Sequence, residues 1–470
     1  MKESEVLKNK GGRGMSRRNF LKYGLGGTAA LVVGTRMPWL TDNEAYAAHH
    51  VQTLNFTITD AMKEMVTHNA VNDARCYFWI YKEDRFPADC PGPHIFTTEG
   101  NFVVVNITNA LDEAHAFFIP GMVDSGPIAP GASRTLRFKV PRAGTFLYYD
   151  NLNAPVNRVM GLHGAFIVMP RAAAPGQKFT PYGQPTPAVP QLFNDLGVAG
   201  PNAPWPGLGW EEGDPTSNPP TLAFRQYIWL LHQASPVLFQ EVGSFTPGLD
   251  FPAQTFVNGF LNDPFIATGT GGITVHNRKP QFFTINGQSG HFSHNNPFHC
   301  PNLRVGEPAV VRILNAGLWM HSTHIHANHV FVIAHNNVVQ ENPIWIDVFT
   351  SFPLSTYDWL VPYMRPPDVP NLRGIGLADP GIPTQTGGTT WPPLGELSLV
   401  IGGVQLAPIC YPMHDHSEPS QTAQGGTYNM GLISGINFTG DRNTPGGVTT
   451  FPNAPLTHGP DRTGPAAPVE

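Results

Sequence analysis

The sequence predicts an all-β protein made of two β-sandwich domains joined by a Pro/Gly-rich linker. Three observations carry this reading. Glycine (49) and proline (48) are abundant among the 470 residues, while charged residues make up only 13 %. That mix suits turns and interrupts helices. Apolar stretches of strand length recur between Gly/Pro turns, the pattern of a sandwich. One layout also occurs twice: TTEGNFVVVNITNA (97–110) is matched by LRVGEPAVVRILNAG (303–317). In each copy an adjoining Glu and Gly form a turn that leads into a valine-rich strand. The length supports two or three domains with a substantial core. The formal net charge of −6 comes with no basic block, which argues against a nucleic-acid partner.

Taken in order, the chain starts with an address. Ser16-Arg17-Arg18-Asn19-Phe20-Leu21-Lys22 is a twin-arginine pattern, an apolar run follows over about 25–33, and Ala45-Tyr46-Ala47 is an A-x-A cleavage signal. Residues 1–47 are therefore read as a signal region, with export of the folded protein to the periplasm or beyond. The apolar run is too short to span a bilayer, so no membrane span is expected after signal removal. The first sandwich is expected over 48–170, with strands at 51–58, 102–107 and 159–169. Residues 171–222, dense in Pro, Gly and Asn, are expected to wrap the surface as a linker in which any helix is short. The second sandwich is expected over 223–440, with strands at 224–231 and 397–401, a strand running into a turn over 282–287, a turn followed by a valine-rich strand within 302–314, and a Pro/Gly-rich insertion at about 366–396. The tail, 441–470, lacks periodicity. Of the four cysteines, Cys76 and Cys90 would close a short loop and leave Cys300 with Cys410. Spacing alone does not fix that connectivity.

The chemistry concentrates in histidines. HSTHIHANHVFVI, beginning at His321, holds His321, His324 and His326 at the head of a β-branched, aromatic run. MHDH holds His414 and His416. Imidazole is the commonest side-chain ligand for transition metals. A strand points alternate residues the same way, so each His-x-His pair faces one direction. Two such pairs suggest a metal site shared between strands; a hydrogen-bonded histidine network is the competing reading.

With both domains in view the chain resembles the two-domain cupredoxin proteins of the multicopper oxidase and copper nitrite reductase type. The resemblance rests on PGPHIFTTEG, HAFFIPG, GTFLYY and MGLHGAFIV in the first domain. In the second it rests on FTING, VGEPAVVRILNAG, HSTHIHANHVFVI and MHDH. It implies two Greek-key sandwiches, copper as cofactor, an oxidoreductase acting on a small molecule or a metal ion, and the homotrimer that related two-domain proteins form. It also exposes departures. The family's HCH motif is His414-Asp415-His416 here, and a carboxylate does not supply the soft thiolate of a blue-copper site. Cys410 lies roughly 13 Å further back along an extended strand. Of the family's four His-x-His pairs, the second domain keeps both. The first keeps His115 alone, with Phe117, Tyr149 and Asn151 at the other positions. The resemblance thus implies a simpler, mononuclear copper centre built from His324, His326, His414 and His416, with His115 from the facing domain. His321 would either coordinate with Asp415 or hydrogen-bond to it. A non-catalytic copper-binding or structural scaffold is the alternative.

Overall fold

The computed structural model describes residues 51–65, 74–171, 180–197, 225–263, 278–296, 299–305, 309–326, 328–363, 370–371, 374–375, 409–421 and 430–441. The signal region, most of the insertion, the strand expected at 397–401 and nearly all of the tail lie outside them.

The first sandwich begins with β1 (Val51–Met65) and β2 (Ala74–Glu83), an antiparallel pair. β1 also runs parallel to β4 (Phe102–Asn109), which pairs with β7 (Ser133–Lys139), giving a sheet in the order β2-β1-β4-β7. The facing sheet combines β3 (Ile95–Thr98), β5 (Phe118–Ile119), β6 (Val123–Asp124), β8 (Gly144–Tyr149) and β9 (His163–Met169) in the order β3-β9-β8-β5-β6. Alternation is clearest in β4, whose Val103, Val105 and Ile107 are buried between partly exposed neighbours, as expected for a half-buried strand.

The second sandwich repeats this plan. β10 (Arg225–Ala234) pairs antiparallel with β11 (Phe282–Ile285) and parallel with β13 (Ala309–Asn315), which pairs with β18 (Thr356–Val361). Two strands without a counterpart among the described residues of the first sandwich, β15 (Val330–His335) and β16 (Val338–Ile346), extend that sheet to β11-β10-β13-β18-β15-β16. The facing sheet holds β12 (Asn302–Val305), β14 (His321–Ile325), β17 (Val348–Ser351), β21 (Ile409–Asp415) and β22 (Ile433–Asp441), ordered β12-β22-β21-β14-β17. A small hairpin joins β19 (Pro370–Asn371) to β20 (Gly374–Ile375). The repeat extends to side chains. Asn109 accepts from Leu111 N and donates to Glu113 O, and Asn315 accepts from Gly317 N and donates to Trp319 O. A matching asparagine thus starts the same turn in each domain.

Helices are short: α1 (Val156–Val159), α2 (Ala188–Gly197), α3 (Pro236–Gly243), α4 (Ala253–Val257), α5 (Gly290–Asn295) and α6 (Glu418–Gln421). Ser235 caps α3 by accepting from Leu238 N, with Pro236 at the first position, a favourable start. α2 lies in the stretch expected to be linker. It buries Val189, Leu192 and Phe193 with Leu147 and Ile167 of the first sandwich and Ile228, Leu314 and Leu360 of the second. Each such side chain contributes roughly 1.5–3 kcal/mol, so this segment helps to join the sandwiches.

Polar groups also cross the seam. Arg312 of β13 is fully buried and donates to Asp358 Oδ2 at 3.3 Å and to Thr145 Oγ1 at 3.0 Å. Thr145 and Tyr182 each donate to Asp358 at 2.6 Å. The expected disulfides, Cys76–Cys90 and Cys300–Cys410, are not formed. Cys300 Sγ donates to Gly435 O at 2.7 Å, and Cys410 Sγ lies 3.1 Å from His294 Nε2.

Candidate metal centre

The histidines of β14 and β21 divide by strand alternation. Along β14, His321, Thr323 and Ile325 are buried, while Ser322 and His324 are partly exposed. Along β21, Met413 and Asp415 are buried and His414 is partly exposed; His416 just beyond it is exposed. His324 and His414 are cross-strand partners. The outward residues therefore meet on one face of the sheet. Ring centroids lie 4.7 Å apart for His324–His416, 4.9 Å for His326–His414, 5.0 Å for His324–His326 and 5.2 Å for His414–His416. One ring nitrogen from each of His324, His414 and His416 falls within 4.8 Å of the others.

Backbone carbonyls aim two of these rings. His324 Nδ1 lies 3.0 Å from Asp347 O, and His414 Nδ1 lies 3.1 Å from Asp415 O. Donation to those carbonyls leaves each Nε2 as the lone-pair nitrogen, the arrangement that fixes tautomer and ring orientation in metal-binding histidines. His326 Nε2 lies 2.9 Å from His414 Nε2 and so donates to that lone pair. Burial, with His416 and His326 nearby, holds His324 below the ordinary imidazole range; burial, then His414 and His416, does the same for His326. Both rings are thus biased toward the neutral form that binds a metal.

The inward residues form a different unit. His321 Nδ1 lies 2.5 Å from Asp415 Oδ2, and Gln233 contacts the other ring nitrogen. Asp415 also accepts from Ser322 N at 2.6 Å, Ser417 N at 3.0 Å and the Ser420 hydroxyl. Burial pushes this carboxyl up, but the His321 pairing and these hydrogen bonds outweigh it and hold it below the ordinary range. His321 therefore stands on the opposite face of β14 from His324 and His326. The relation to Asp415 is a hydrogen bond.

His115 is also separate. It is fully buried, its Nδ1 lies 2.8 Å from Asp150 Oδ2, and its ring packs edge-on against Trp79 at 5.0 Å. The sheet register corrects its equivalence. Phe118 pairs with Tyr149 as His324 pairs with His414. Counting from that pair, His115 is the counterpart of His321 and Asp150 that of Asp415, while Phe118 and Pro120 occupy the positions of His324 and His326. His115 lies three residues earlier than the His-x-His alignment assumed. Among the described residues no hydrogen bond or ring contact links it to the four outward histidines, whose partners all belong to the second sandwich.

The repeated strand plan and histidine-bearing β14 and β21 define a two-domain cupredoxin-type protein. The family model described as multicopper oxidase matches residues 85–173, and that for the twin-arginine translocation signal matches residues 14–34. The chain is 35% identical over 94 residues to L-ascorbate oxidase of Cucumis sativus, covering 17% of this chain and 16% of that protein. It is 24% identical over 144 residues to the copper-containing nitrite reductase of Alcaligenes xylosoxydans xylosoxydans, covering 28% and 42%. These matches span less than half of either relative. Among solved structures, the blue copper oxidase from Nitrosomonas europaea superposes with a TM-score of 0.48 at 18% identity, covering 83% of this chain and 86% of that one. Residues 85–173 thus resemble the multicopper oxidases, and shorter stretches resemble L-ascorbate oxidase and a copper-containing nitrite reductase; the twin-arginine signal marks the chain for export. No described helix is long and apolar enough to cross a membrane.

Proposed function

We propose that this exported protein binds one copper ion at His324, His414 and His416, with His326 as the adjoining fourth imidazole, and acts as an oxidoreductase directly at that site. The observation that carries the reading is the convergence of three ring nitrogens within 4.8 Å. Two of those rings are oriented through Nδ1 by backbone carbonyls. Three imidazoles with an open side suit Cu(II), and the copper-containing nitrite reductase among the relatives favours copper over zinc. Copper held there supplies one-electron redox chemistry. The chain supplies orientation: β14 and β21 hold the rings, and the partly exposed face admits a small molecule or a metal ion as substrate.

The buried positions bear on mechanism. Asp415 stands where the family's HCH motif carries its cysteine, and it is engaged by His321 and three further donors. Electron entry through a blue-copper relay is therefore left out of this reading. The same pairing favours a second reading, in which the protein binds copper without turnover. Copper content, paramagnetic resonance and oxidation of a phenol or a reduced metal ion decide between them. A colourless protein with a type 2 resonance and turnover lost in H324A/H414A is the expected result. Copper binding without turnover selects the second reading, and failure to retain copper after loading overturns both.

A further inference from the structure

A second group of metal-ligating side chains lies where the sandwiches meet. Cys90 sits between β2 and β3, His163 opens β9, and His232 lies in β10 of the second sandwich. One ligand atom from each falls within 4.8 Å of the others, and the two rings lie 4.5 Å apart. All three residues are buried, exposed by 2%, 0% and 2%.

The hydrogen bonds prepare both rings. His163 Nδ1 lies 2.8 Å from Arg158 O, and His232 Nε2 lies 2.8 Å from Val159 O. Adjacent carbonyls at the end of α1 thus take one N–H from each ring and leave a lone pair on the other nitrogen. Among the described residues His163 Nε2 is buried with no hydrogen-bond partner, which is costly for a group satisfied only by water, a donor or a cation. Cys90 uses its backbone rather than its thiol: its N–H donates to Asp89 and its carbonyl accepts from Lys63. The chain also closes in on the sulfur. Gly161, at φ +122°, admits no side chain, because a Cβ there would lie 2.4 Å from Trp79 O and 3.2 Å from Cys90 Sγ.

We infer that Cys90, His163 and His232 form a buried interdomain site for a single Cu(I) ion, distinct from the surface cluster. One thiolate with two imidazoles is the trigonal donor set of blue-copper centres, and soft sulfur selects Cu(I). Structural Zn(II) takes four ligands; the described residues supply three here. Binding replaces the thiol S–H bond by a Cu–S bond and releases that proton to solvent, with no change in oxidation state. The ion would tie β9 to β10 and so brace the seam. With every ligand buried, it enters while the sandwiches are apart, and the test therefore uses protein made in copper-supplemented medium.

The exported protein is analysed by metal quantification and copper X-ray absorption, a readout that separates sulfur from nitrogen ligands. About two coppers per chain are expected, with sulfur in the average shell. H324A/H414A, which removes the surface site, is expected to keep about one copper with a larger sulfur contribution per copper. Cys90→Ser should lose one equivalent and the sulfur signal. Should Cys90→Ser fold poorly, the H324A/H414A spectrum decides alone. A shell of nitrogen and oxygen only, or no copper at all in that variant, overturns the inference and leaves the surface-cluster reading standing. Loss of the sulfur-free copper alone would sink the surface reading and leave this one.

Discussion

His321 Nδ1 lies 2.5 Å from Asp415 Oδ2, and at the matching positions of the first sandwich His115 Nδ1 lies 2.8 Å from Asp150 Oδ2. Both pairs are buried. Each domain thus closes the same interior position with a histidine–carboxylate hydrogen bond, on the face opposite any outward histidines. Interior polar groups are tolerable only when satisfied. Asp150 meets that demand with Asn157 Nδ2 at 3.0 Å and Leu152 N at 2.8 Å, and Asp415 does so with its serine and backbone donors.

D415A tests this arrangement. It strands His321 Nδ1, Ser322 N and Ser417 N and leaves the Ser420 hydroxyl with Ser417 O alone. Each buried donor left without its acceptor costs about 1–3 kcal/mol, so a loss of several kcal/mol is expected. H416A, the next residue but on the exposed face, should stay within about 0.5 kcal/mol of the wild type. Urea unfolding of the metal-free proteins measures both. Equal losses would mean that Asp415 has no special structural role.

The contrast between alternate residues was legible in the sequence, because strand period alone sends His324 and His326 one way and His321 the other. The position of His115 was not. HAFFIPG contains one histidine and nothing local to show register, and only the pairing of Phe118 with Tyr149 aligns it with His321. β2 escaped for a related reason. Cys76, Tyr77, Phe78, Trp79, Ile80 and Tyr81 are all buried, so the strand shows no alternation to detect. α2 was hidden in Pro/Gly-rich sequence although it packs into the seam. The grouping of Cys90, His163 and His232 depends on the meeting of two domains, which no local pattern encodes.

Copper affinity should divide the four outward histidines. His324 and His414 are aimed by carbonyls, and His414 and His416 complete the convergent trio with His324. His326 meets His414 through a ring-to-ring hydrogen bond. H324A or H414A should weaken Cu(II) binding at the surface site by at least about 100-fold, the upper range for losing even an outer-shell partner. H326A should cost about tenfold or less. Competition titration against a chelator gives the order, and a larger loss for H326A than for H414A would reassign the ligands.

The seam network offers a test that separates charge from packing. Asp358 receives Arg312, Thr145 and Tyr182, and Arg312 is fully buried. D358A leaves a buried guanidinium without its carboxylate and should cost about 3–5 kcal/mol. R312M/D358V replaces both charges with apolar side chains nearer in size and should cost clearly less, because apolar replacement of a buried ion pair is often near neutral. Chemical denaturation of the two variants decides. A double variant no more stable than D358A would show that Thr145 and Tyr182 depend on the charge itself.

Acid should destabilise the fold through His299. Burial first, then electrostatic coupling to His94 and Lys63, lowers its pKa to about 3, against an ordinary value of about 6.5. As pH falls below about 6.5 the unfolded chain takes up a proton at this residue, while the folded chain stays neutral until about 3. The unfolded state therefore binds more protons across that window, and stability rises with pH there. This contribution is fully present above about 6.5 and is lost at about 1.4 kcal/mol per pH unit as the solution is acidified. His94, lowered to about 4 by its own burial, acts in the same direction. H299L keeps an apolar side chain in the pocket and removes the proton site. Urea midpoints measured from neutral pH down to about 4.5 should fall less steeply for H299L than for the wild type. Parallel curves would assign the acid loss to other groups.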